Sequence, residues 1–428
     1  MISYACYVRA ERNPYARYVA GGFQVIDRYA LQNPSDQELF NGAMNGMIDV
    51  LRQYDDAHSQ FVPAAKRSDL EEDILQEFAG VGIPVRMIGD PPLPTVLGPP
   101  EPDSPAHVAG VRSGDRIVAV DGRPTAGLEI EEVTELIRGP VGEKVALSLE
   151  REGEERPIDT VIERAVVTVT SLRGDLRDAQ GRWSFRLPEN PRIGYLRIVK
   201  FGDKTAAEVE AALAQLSEEG FDGLIVDLRD NGGGVMDAAV EICDLFLKAG
   251  LPIVSTRDRE QRERGRFVST GRGDYLEVPI VVIIDRLSAS ASEIVAACLQ
   301  DWNRADVVGE RSYGKGTVQT IMRLESGRSE LRITSATYWR PSGENIHRMP
   351  GDGESAAWGV LPTEGLECSQ DNDAFQLRRK WRLMRDIVGE ESTDPLALTL
   401  AKEMGEVPIG FVDEALDVAV SHLSAQSR

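Results

Sequence analysis

Three residue types that could carry out acyl chemistry lie close together in this chain. They are the serines of Ser288-Ala-Ser-Ala-Ser292, the lysine of Gly314-Lys-Gly316, and the glutamine at 319. A serine attacks a carbonyl when a neighbour takes its proton, and a lysine can be that neighbour only if it is held neutral. A neutral amide suits such a lysine, because a carboxylate would favour its charged form. Lys315 and Gln319 are spaced i, i+4, which puts both side chains on one face in a strand or a helix alike. Taken singly, the pieces have plainer readings. Ser290 and Glu293 have capping-box spacing, and a lysine between glycines is ordinarily a solvated loop residue. Spacing alone does not choose Ser290 over Ser288 or Ser292.

The elements that must position these residues are legible on both sides of them. Ile280 to Ile284 is a continuous β-branched run, which predicts a strand buried on both faces. A helix is predicted to start at the serine run, with Ile294, Ala297 and Cys298 on one face. At such a junction the first free amides and the positive end of the helix dipole meet whatever approaches, a good place for a developing oxyanion. Val307-Val308 then leads to the Gly314-Lys-Gly turn, whose glycines allow close backbone approach. Upstream, Arg192-Ile-Gly-Tyr-Leu-Arg-Ile reads as a strand, and Thr205-Ala-Ala-Glu as the cap of a helix through Val209, Leu213 and Leu216. Gly223-Leu-Ile-Val-Asp-Leu-Arg reads as a buried strand ending at Asp230-Asn-Gly-Gly-Gly. Strand, glycine turn and helix also build phosphate loops, but this turn carries no Gly-Lys-Ser or Gly-Lys-Thr, so the nucleotide reading is set aside.

Asp285-Arg-Leu-Ser-Ala-Ser-Ala-Ser-Glu-Ile, followed by Gly309-Glu-Arg-Ser-Tyr-Gly-Lys-Gly-Thr-Val-Gln, resembles the catalytic region of the carboxy-terminal processing proteases, also called tail-specific serine endopeptidases. The resemblance implies that Ser290 is the nucleophile, Lys315 the general base, and Gln319 the residue that orients the lysine. It assigns the glycine run to an oxyanion hole, with amides near Gly234 and at Ala291. Thr337-Tyr-Trp-Arg-Pro-Ser-Gly-Glu-Asn-Ile matches the strand and turn that follow the lysine in that family. His347 to Trp358 departs from the commoner, shorter connection and reads as an inserted surface loop, with a gate over the site as the less favoured reading. Asp56-Ala-His-Ser-Gln-Phe is similar to the family's Asp-Pro-His-Ser-Ser-Tyr, with Ala57 in place of the proline. His58 then reads either as a catalytic histidine or, the preferred reading, as a loop histidine with structural hydrogen bonds. The likeness spans roughly residues 38 to 365 and its motifs are strong between 225 and 345.

Between about Ile74 and Ala165 the pattern changes to short strands and turns. Phe78-Ala-Gly-Val-Gly-Ile-Pro-Val is a glycine-rich turn entering a strand, Gly114-Asp-Arg-Ile-Val-Ala-Val-Asp-Gly alternates, and Ile130 to Arg138 reads as a short helix. This resembles a PDZ domain, including Ser104-Pro-Ala-x-x-Ala-Gly-Val-x-x-Gly-Asp115. Gly80, Val81, Gly82 and Ile83 could present backbone amides to a terminal carboxylate, with the adjoining strand accepting the peptide as an added strand. The resemblance places Arg138 where family members have an arginine that couples peptide binding to assembly of the active site.

The expected domain order is a helical region over 1–73, a PDZ domain over 74–165, a serine protease core over 166–365 and a helical region over 366–428. The fold class is α/β, a crotonase-like β-α superhelical core with an inserted PDZ domain and flanking helices. In the first region Ser35-Asp-Gln-Glu caps a helix with a stripe of Leu39, Met44, Met47, Ile48 and Leu51. A net charge of −22 and a pI near 4.7 argue against nucleic acid or an anionic membrane surface as partner. Peptide or protein substrates with free C-termini are the expected partners, and the terminal helices suit packing or homo-oligomer contacts. Cys6, Cys243, Cys298 and Cys368 are far apart and suggest no disulfide framework. His58, His107, His347 and His422 have no metal-site spacing, and neither metal nor cofactor is implied. The N-terminus has no apolar stretch of signal-peptide length, whereas the resembled family is usually exported to the periplasm, cell envelope or thylakoid lumen. The chain therefore reads as a mature or truncated form, or as one that works in the cytosol. A non-catalytic ligand-binding or scaffolding protein on the same fold is the competing reading. Loss of the serine or the lysine would mark it, and both are present.

Overall fold

A computed structural model describes residues 13–178, 181–353, 355–388, 399–400 and 410–426. Cys6 and the N-terminal stretch weighed as a signal sequence lie outside them, as does part of the C-terminal helical region.

Helix α1 (Pro14–Tyr29) is followed by α2 (Asp36–Arg52), which starts at the expected capping box. Glu38 N–H donates to Ser35 Oγ at 3.2 Å, and Ser35 N–H donates to Glu38 Oε2 at 2.7 Å. Met44 and Ile48 pack on Phe61, but Met47 faces solvent, so the apolar stripe is narrower than the sequence suggested. The region is also not all helical. Between α2 and α3 (Ala64–Leu75) runs β1 (Gln60–Val62), which joins a sheet formed far along the chain.

Strand β2 (Glu77–Gly80) opens the next unit, and β3 (Val85–Ile88), β4 (Leu93–Val96), β5 (Arg116–Val120), helix α4 (Ile130–Ile137), β6 (Lys144–Glu150) and β7 (Ile158–Glu163) follow. The strands β3 to β7 pair in sequence order, and β8 (Ala165–Thr168) closes back on β2 as a two-stranded ribbon. In β6, Val145, Leu147 and Leu149 point inward and join Val133 and Ile137 of α4 in a core of their own.

The largest core is α/β. Strands β9 (Leu172–Arg173) and β10 (Asn190–Ile198), helix α5 (Thr205–Glu219), β11 (Gly223–Asp227) and α6 (Met236–Asp244) come first. Strands β12 (Pro252–Asp258), β13 (Glu263–Val268) and β14 (Ile280–Ile284), helix α7 (Ala291–Asp301) and β15 (Asp306–Gly309) complete it. The sheet order is β9-β10-β11-β14-β15, and β10, β11, β14 and β15 are parallel. Period-two alternation splits the two buried faces. Leu196, Val226, Val282 and Val307 form a row under α5, α6 and α7, while Tyr195, Ile225 and Val281 face the opposite side. There they meet Ala415, Ala419 and Leu423 of the C-terminal helix. Helix α7 is buried from Ala291 to Leu299, a central rather than a surface helix.

The hairpin β16 (Thr317–Leu324) and β17 (Ser329–Trp339) leaves this layer and builds a second sheet in which β17 pairs with β1, β12 and β16. Helices α8 (Asn372–Val388) and α9 (Glu414–Gln426) end the described chain. Among the described residues no helix is long and apolar enough to cross a membrane.

One expected cap is corrected. Thr205 is not the N-cap of α5 but its first helical residue, fully buried, with Oγ1 accepting the Gly202 N–H at 2.8 Å. Glu208, expected to close the cap, instead receives the N–H groups of Ser171 and Leu172.

Candidate active site

Three turns leave the carboxyl ends of the parallel strands, where ligands bind in open α/β sheets. The first follows β14. Ser290 is the N-cap of α7 with φ +56° and ψ −113°, and is 8% exposed. A non-glycine residue there carries about 1–3 kcal/mol of strain and persists only where its surroundings over-determine it. They do so here. Ser288 Oγ donates to Leu228 O at 2.9 Å and accepts the Asp285 N–H at 2.9 Å, and Ser292 Oγ donates to Asn231 O at 3.0 Å. Ala289 N–H donates to the same Asn231 carbonyl at 3.0 Å. The serines on either side of Ser290 are thus engaged in tying its turn to the neighbouring one.

That neighbour follows β11 and contains the glycine run. Asn231 organises it: Oδ1 accepts the Gly233 N–H at 2.8 Å and Nδ2 donates to Ile198 O at 2.7 Å. Gly233 has φ +95°, and a Cβ built on it would stand 2.7 Å from both Ala289 O and Ser290 Cβ. No side chain fits there without moving the serine turn. The backbone N–H groups of Gly234 and Ala291, one from each turn, have no hydrogen-bond partner among the described residues. Behind the glycines Arg229 is buried between Asp227 and Asp413, with Nη2 at 2.7 Å from Asp227 Oδ2 and Nη1 at 2.7 Å from Asp413 Oδ1. Burial works against the Asp227 charge, but Arg229 and the Tyr195 hydroxyl hold that carboxyl far below its usual range.

The third turn follows β15 and carries Lys315. Its fixed point is Glu293, in the first turn of α7 and 0% exposed. Oε2 accepts the N–H groups of Ser290 at 2.8 Å and Lys315 at 2.9 Å; Oε1 accepts Gly314 N–H at 2.7 Å and Ser312 Oγ–H at 2.5 Å. Burial pushes the Glu293 carboxyl up to about 7 against these four donors. Lys315 Nζ makes no ion pair or hydrogen bond among the described residues. Burial pushes Lys315 below the ordinary lysine value, with Glu293 pulling the other way and Arg332 adding to the depression.

Gln319 lies in β16, where Nε2 donates to Thr317 Oγ1 at 3.1 Å. Lys315 precedes the strand, and the register shifts between Val318 and Gln319. The even alternation assumed from the i, i+4 spacing is therefore interrupted, and no hydrogen bond joins the two side chains.

His58 shares the neighbourhood of the lysine. Burial lowers its pKa first, with the charges of Lys315 and His347 adding, and its backbone N–H donates to Asp56 Oδ1 at 3.1 Å. The 347–358 connection is not simply a surface loop. Its middle is exposed but its ends dock on the lysine turn: a Cβ on Gly316 would lie 2.2 Å from His347 N, and Arg348 N–H donates to Gly314 O at 2.9 Å. Trp358, 6% exposed, lies against the guanidinium groups of Arg311 and Arg348, 3.6 and 4.3 Å from its ring centroid.

In the smaller unit Val81 and Gly82 are buried, with Val81 O accepting the Ala106 N–H and Gly82 O the Glu101 N–H. The N–H groups of Gly82 and Ile83 have no partner among the described residues. Arg138 caps the C-terminus of α4, donates to Glu72 Oε2 of α3 at 3.0 Å, and lies 5.3 Å from the Phe78 ring centroid. It lines a cavity of about 940 Å³ together with Gln60, Lys66, Phe78 and Lys200.

Sequence reasoning noticed Glu293 only as a capping residue and missed that it also binds the lysine turn. It missed Asn231, although an asparagine before a glycine run is itself a turn signal. It gave no sign of Asp413.

The chain is similar to known proteins along most of its length. A family described as peptidase family S41 matches residues 192–360, and a PDZ domain family matches residues 98–151. The carboxy-terminal-processing protease of Bartonella bacilliformis is 38% identical over 344 residues, covering 78% of this chain and 74% of that protein. The carboxyl-terminal-processing protease of Synechocystis sp. is 31% identical over 319 residues, covering 74% and 70%. The chloroplastic C-terminal processing peptidase of Tetradesmus obliquus is 30% identical over 332 residues, covering 76% and 70%.

Proposed function

This chain belongs to peptidase family S41, is a serine-type peptidase with a PDZ domain, and resembles the carboxy-terminal processing proteases; from that premise we propose that Ser290 is its nucleophile and Lys315 its general base. The observation that carries the reading is the single Glu293 oxygen that receives the backbone N–H of both residues, which fixes the two turns against each other. Ser290 Oγ attacks the scissile carbonyl as its proton passes to Lys315 Nζ, and the lysine then protonates the leaving amine. Water, deprotonated by the same lysine, releases the acyl group. The unpartnered N–H groups of Gly234 and Ala291 receive the oxyanion, each contributing about 3–4 kcal/mol in the transition state. Gln319 orients the lysine. Its Nε2 donates to the Thr317 hydroxyl, and its neutral carboxamide oxygen can accept an Nζ–H without occupying the lysine lone pair or adding a charge.

The PDZ domain, taken as residues 74–165, selects substrates by a free C-terminus bound at Gly80 to Ile83, and Arg138 couples that binding to the protease core, residues 166–365. The core is read as a crotonase-like β-α superhelix, for which the parallel β10-β11-β14-β15 order is the support. Exposed Tyr15, Tyr18 and Val25 on α1 suit a homo-oligomer contact through the terminal helices.

The test is hydrolysis of an unfolded protein by the full chain beside Ser290→Ala and Lys315→Ala. Both variants should stay folded and lose cleavage. Turnover retained by folded Ser290→Ala would overturn the assignment. Amidating the substrate C-terminus should slow cleavage, and equal rates would remove the PDZ domain from selection.

A further inference from the structure

We propose that Arg378, on α8, is a positioning residue for hydrolysis: its guanidinium spaces the serine turn against the glycine turn and so sets the distance between the two oxyanion amides. This rests on the Ser290 reading. Helix α8 lies beyond residues 192–360, the part of the chain that the peptidase family covers.

Asp230 and Asp285 each lead one of the two turns, Asp230 ahead of Gly234 and Asp285 ahead of Ser290. The two are already joined, since the Asp230 backbone N–H donates to the Asp285 side-chain carboxylate at 3.2 Å. Two carboxylates that close repel. Arg378, 3% exposed, answers both: Nη1 donates to Asp230 Oδ2 at 3.0 Å and Nη2 to Asp285 Oδ2 at 2.8 Å. One rigid planar fork thus holds the leading carboxylates of both turns at a fixed spacing, which a single ammonium point charge does not reproduce. Two further contacts from the same helix grip the same place. Arg379 Nε lies 3.0 Å from Asp230 Oδ1, and Arg286, next to Asp285, stacks 3.9 Å from the ring centroid of Phe375. Arg378 is 3% exposed and is assigned no contact with substrate. Its effect passes through the Gly234 and Ala291 amides, which belong to different turns and keep their relative position only as long as the turns do.

A misplacement of about 1 Å at a reacting group can lower rate about 100-fold. Arg378→Lys and Arg378→Gln in the full chain should therefore lower kcat by about 10- to 100-fold, with the lysine variant the less affected and KM within about twofold. A peptide boronic acid, which forms a tetrahedral adduct on the serine, should lose affinity by the same factor as kcat. An uncleaved peptide bound in a Ser290→Ala background should not. Thermal unfolding accompanies each variant, and the lysine variant keeps the test open if the glutamine variant does not fold. The proposal is overturned if kcat is unchanged in folded Arg378→Lys, or if kcat falls without the boronate affinity following. Activity surviving in Ser290→Ala would instead remove the underlying reading, so the two failures are distinguishable.

Discussion

The backbone N–H of Lys315 points at Glu293 and lies 2.9 Å from Oε2, so the proposed general base is anchored by its main chain while its side chain has no hydrogen-bond or ion-pair partner among the described residues. The lysine gains a fixed origin without gaining a salt-bridge partner, which would have kept it charged. The same oxygen holds Ser290 N–H.

Replacing Glu293 by Gln exchanges one of two acceptors for an NH₂ group and leaves the N–H donors on that side without a partner. Each stranded donor should cost about 1–3 kcal/mol. We expect Glu293→Gln to lower the midpoint of unfolding and to reduce kcat about 100-fold through misplacement of serine and lysine. Wild-type turnover in this variant would show that the two turns are held elsewhere.

Activity should rise with pH. Lys315 must lose a proton to act as base, and Glu293, pushed by burial up to about 7, must lose one to accept its four donors. Burial depresses Lys315 from the ordinary lysine value, with Glu293 opposing, so its deprotonation sets a second limb. A plot of log kcat/KM against pH should have a slope approaching two at its acid end, where both groups are protonated. A slope of one across the whole acid limb would detach Glu293 from function.

Gly233 and Gly232 should respond oppositely to alanine. At Gly233 a methyl group would meet Ala289 O and Ser290 Cβ at 2.7 Å and Ala291 N at 2.9 Å, with φ at +95°. At Gly232 it would meet nothing within 4 Å. Gly233→Ala should lose at least about 100-fold in kcat and Gly232→Ala should stay within about twofold. Similar kinetics for the pair would separate the glycine turn from the chemistry.

Trp358→Ala tests the connection over the lysine turn. Loss of the ring removes the packing against Gly314, where a Cβ would stand 2.9 Å from Trp358 Cε3. Stability should fall by about 3 kcal/mol, as for other large-to-small changes at buried aromatics, and kcat should fall while binding of a C-terminal peptide persists. Unchanged kcat in the folded variant would return this connection to a surface role.

Arg138→Ala should leave stability within about 1 kcal/mol, because its ion pair with Glu72 is half exposed. A fall in turnover would then report coupling between the PDZ domain and the core. Equal turnover would leave Arg138 as a surface contact between α4 and α3.

The parts of the site that could be read from sequence are those built from neighbours in the chain. Ile280 to Ile284 predicted the strand, the serine run the helix start, and the glycines on either side of Lys315 the close turn. The parts that could not be read are joined across long separations. Arg229 meets Asp413 across 184 residues and Asp230 meets Arg378 across 148. In sequence Arg378, Arg382 and Arg385 look like the charged stripe of a solvated helix. They are drawn inward because Asp175, Asp230 and Asp285 lie opposite them, which no local pattern records. Thr205 failed as a cap for a related reason. Its hydroxyl accepts the Gly202 N–H, and the fold places Glu208 beside a different segment. The register shift between Val318 and Gln319, which interrupts the even alternation assumed from the Lys315 to Gln319 spacing, likewise has no local signature in the sequence.

The reach of Arg229 to Asp413 also imposes an order of events during synthesis. Ser290, Glu293 and Lys315 leave the ribosome well before Arg378, and Asp413 emerges last. Until then Arg229 has only Asp227 of its two carboxylate partners, and burying it with one partner missing is costly. On the Ser290 reading, a nascent chain is expected to carry its nucleophile without the frame that makes it reactive. Ribosome-bound chains stalled at residue 366 should not react with a serine-directed fluorophosphonate, whereas the released full chain should. Labelling of the stalled chain would show that the frame closes without its C-terminal supports.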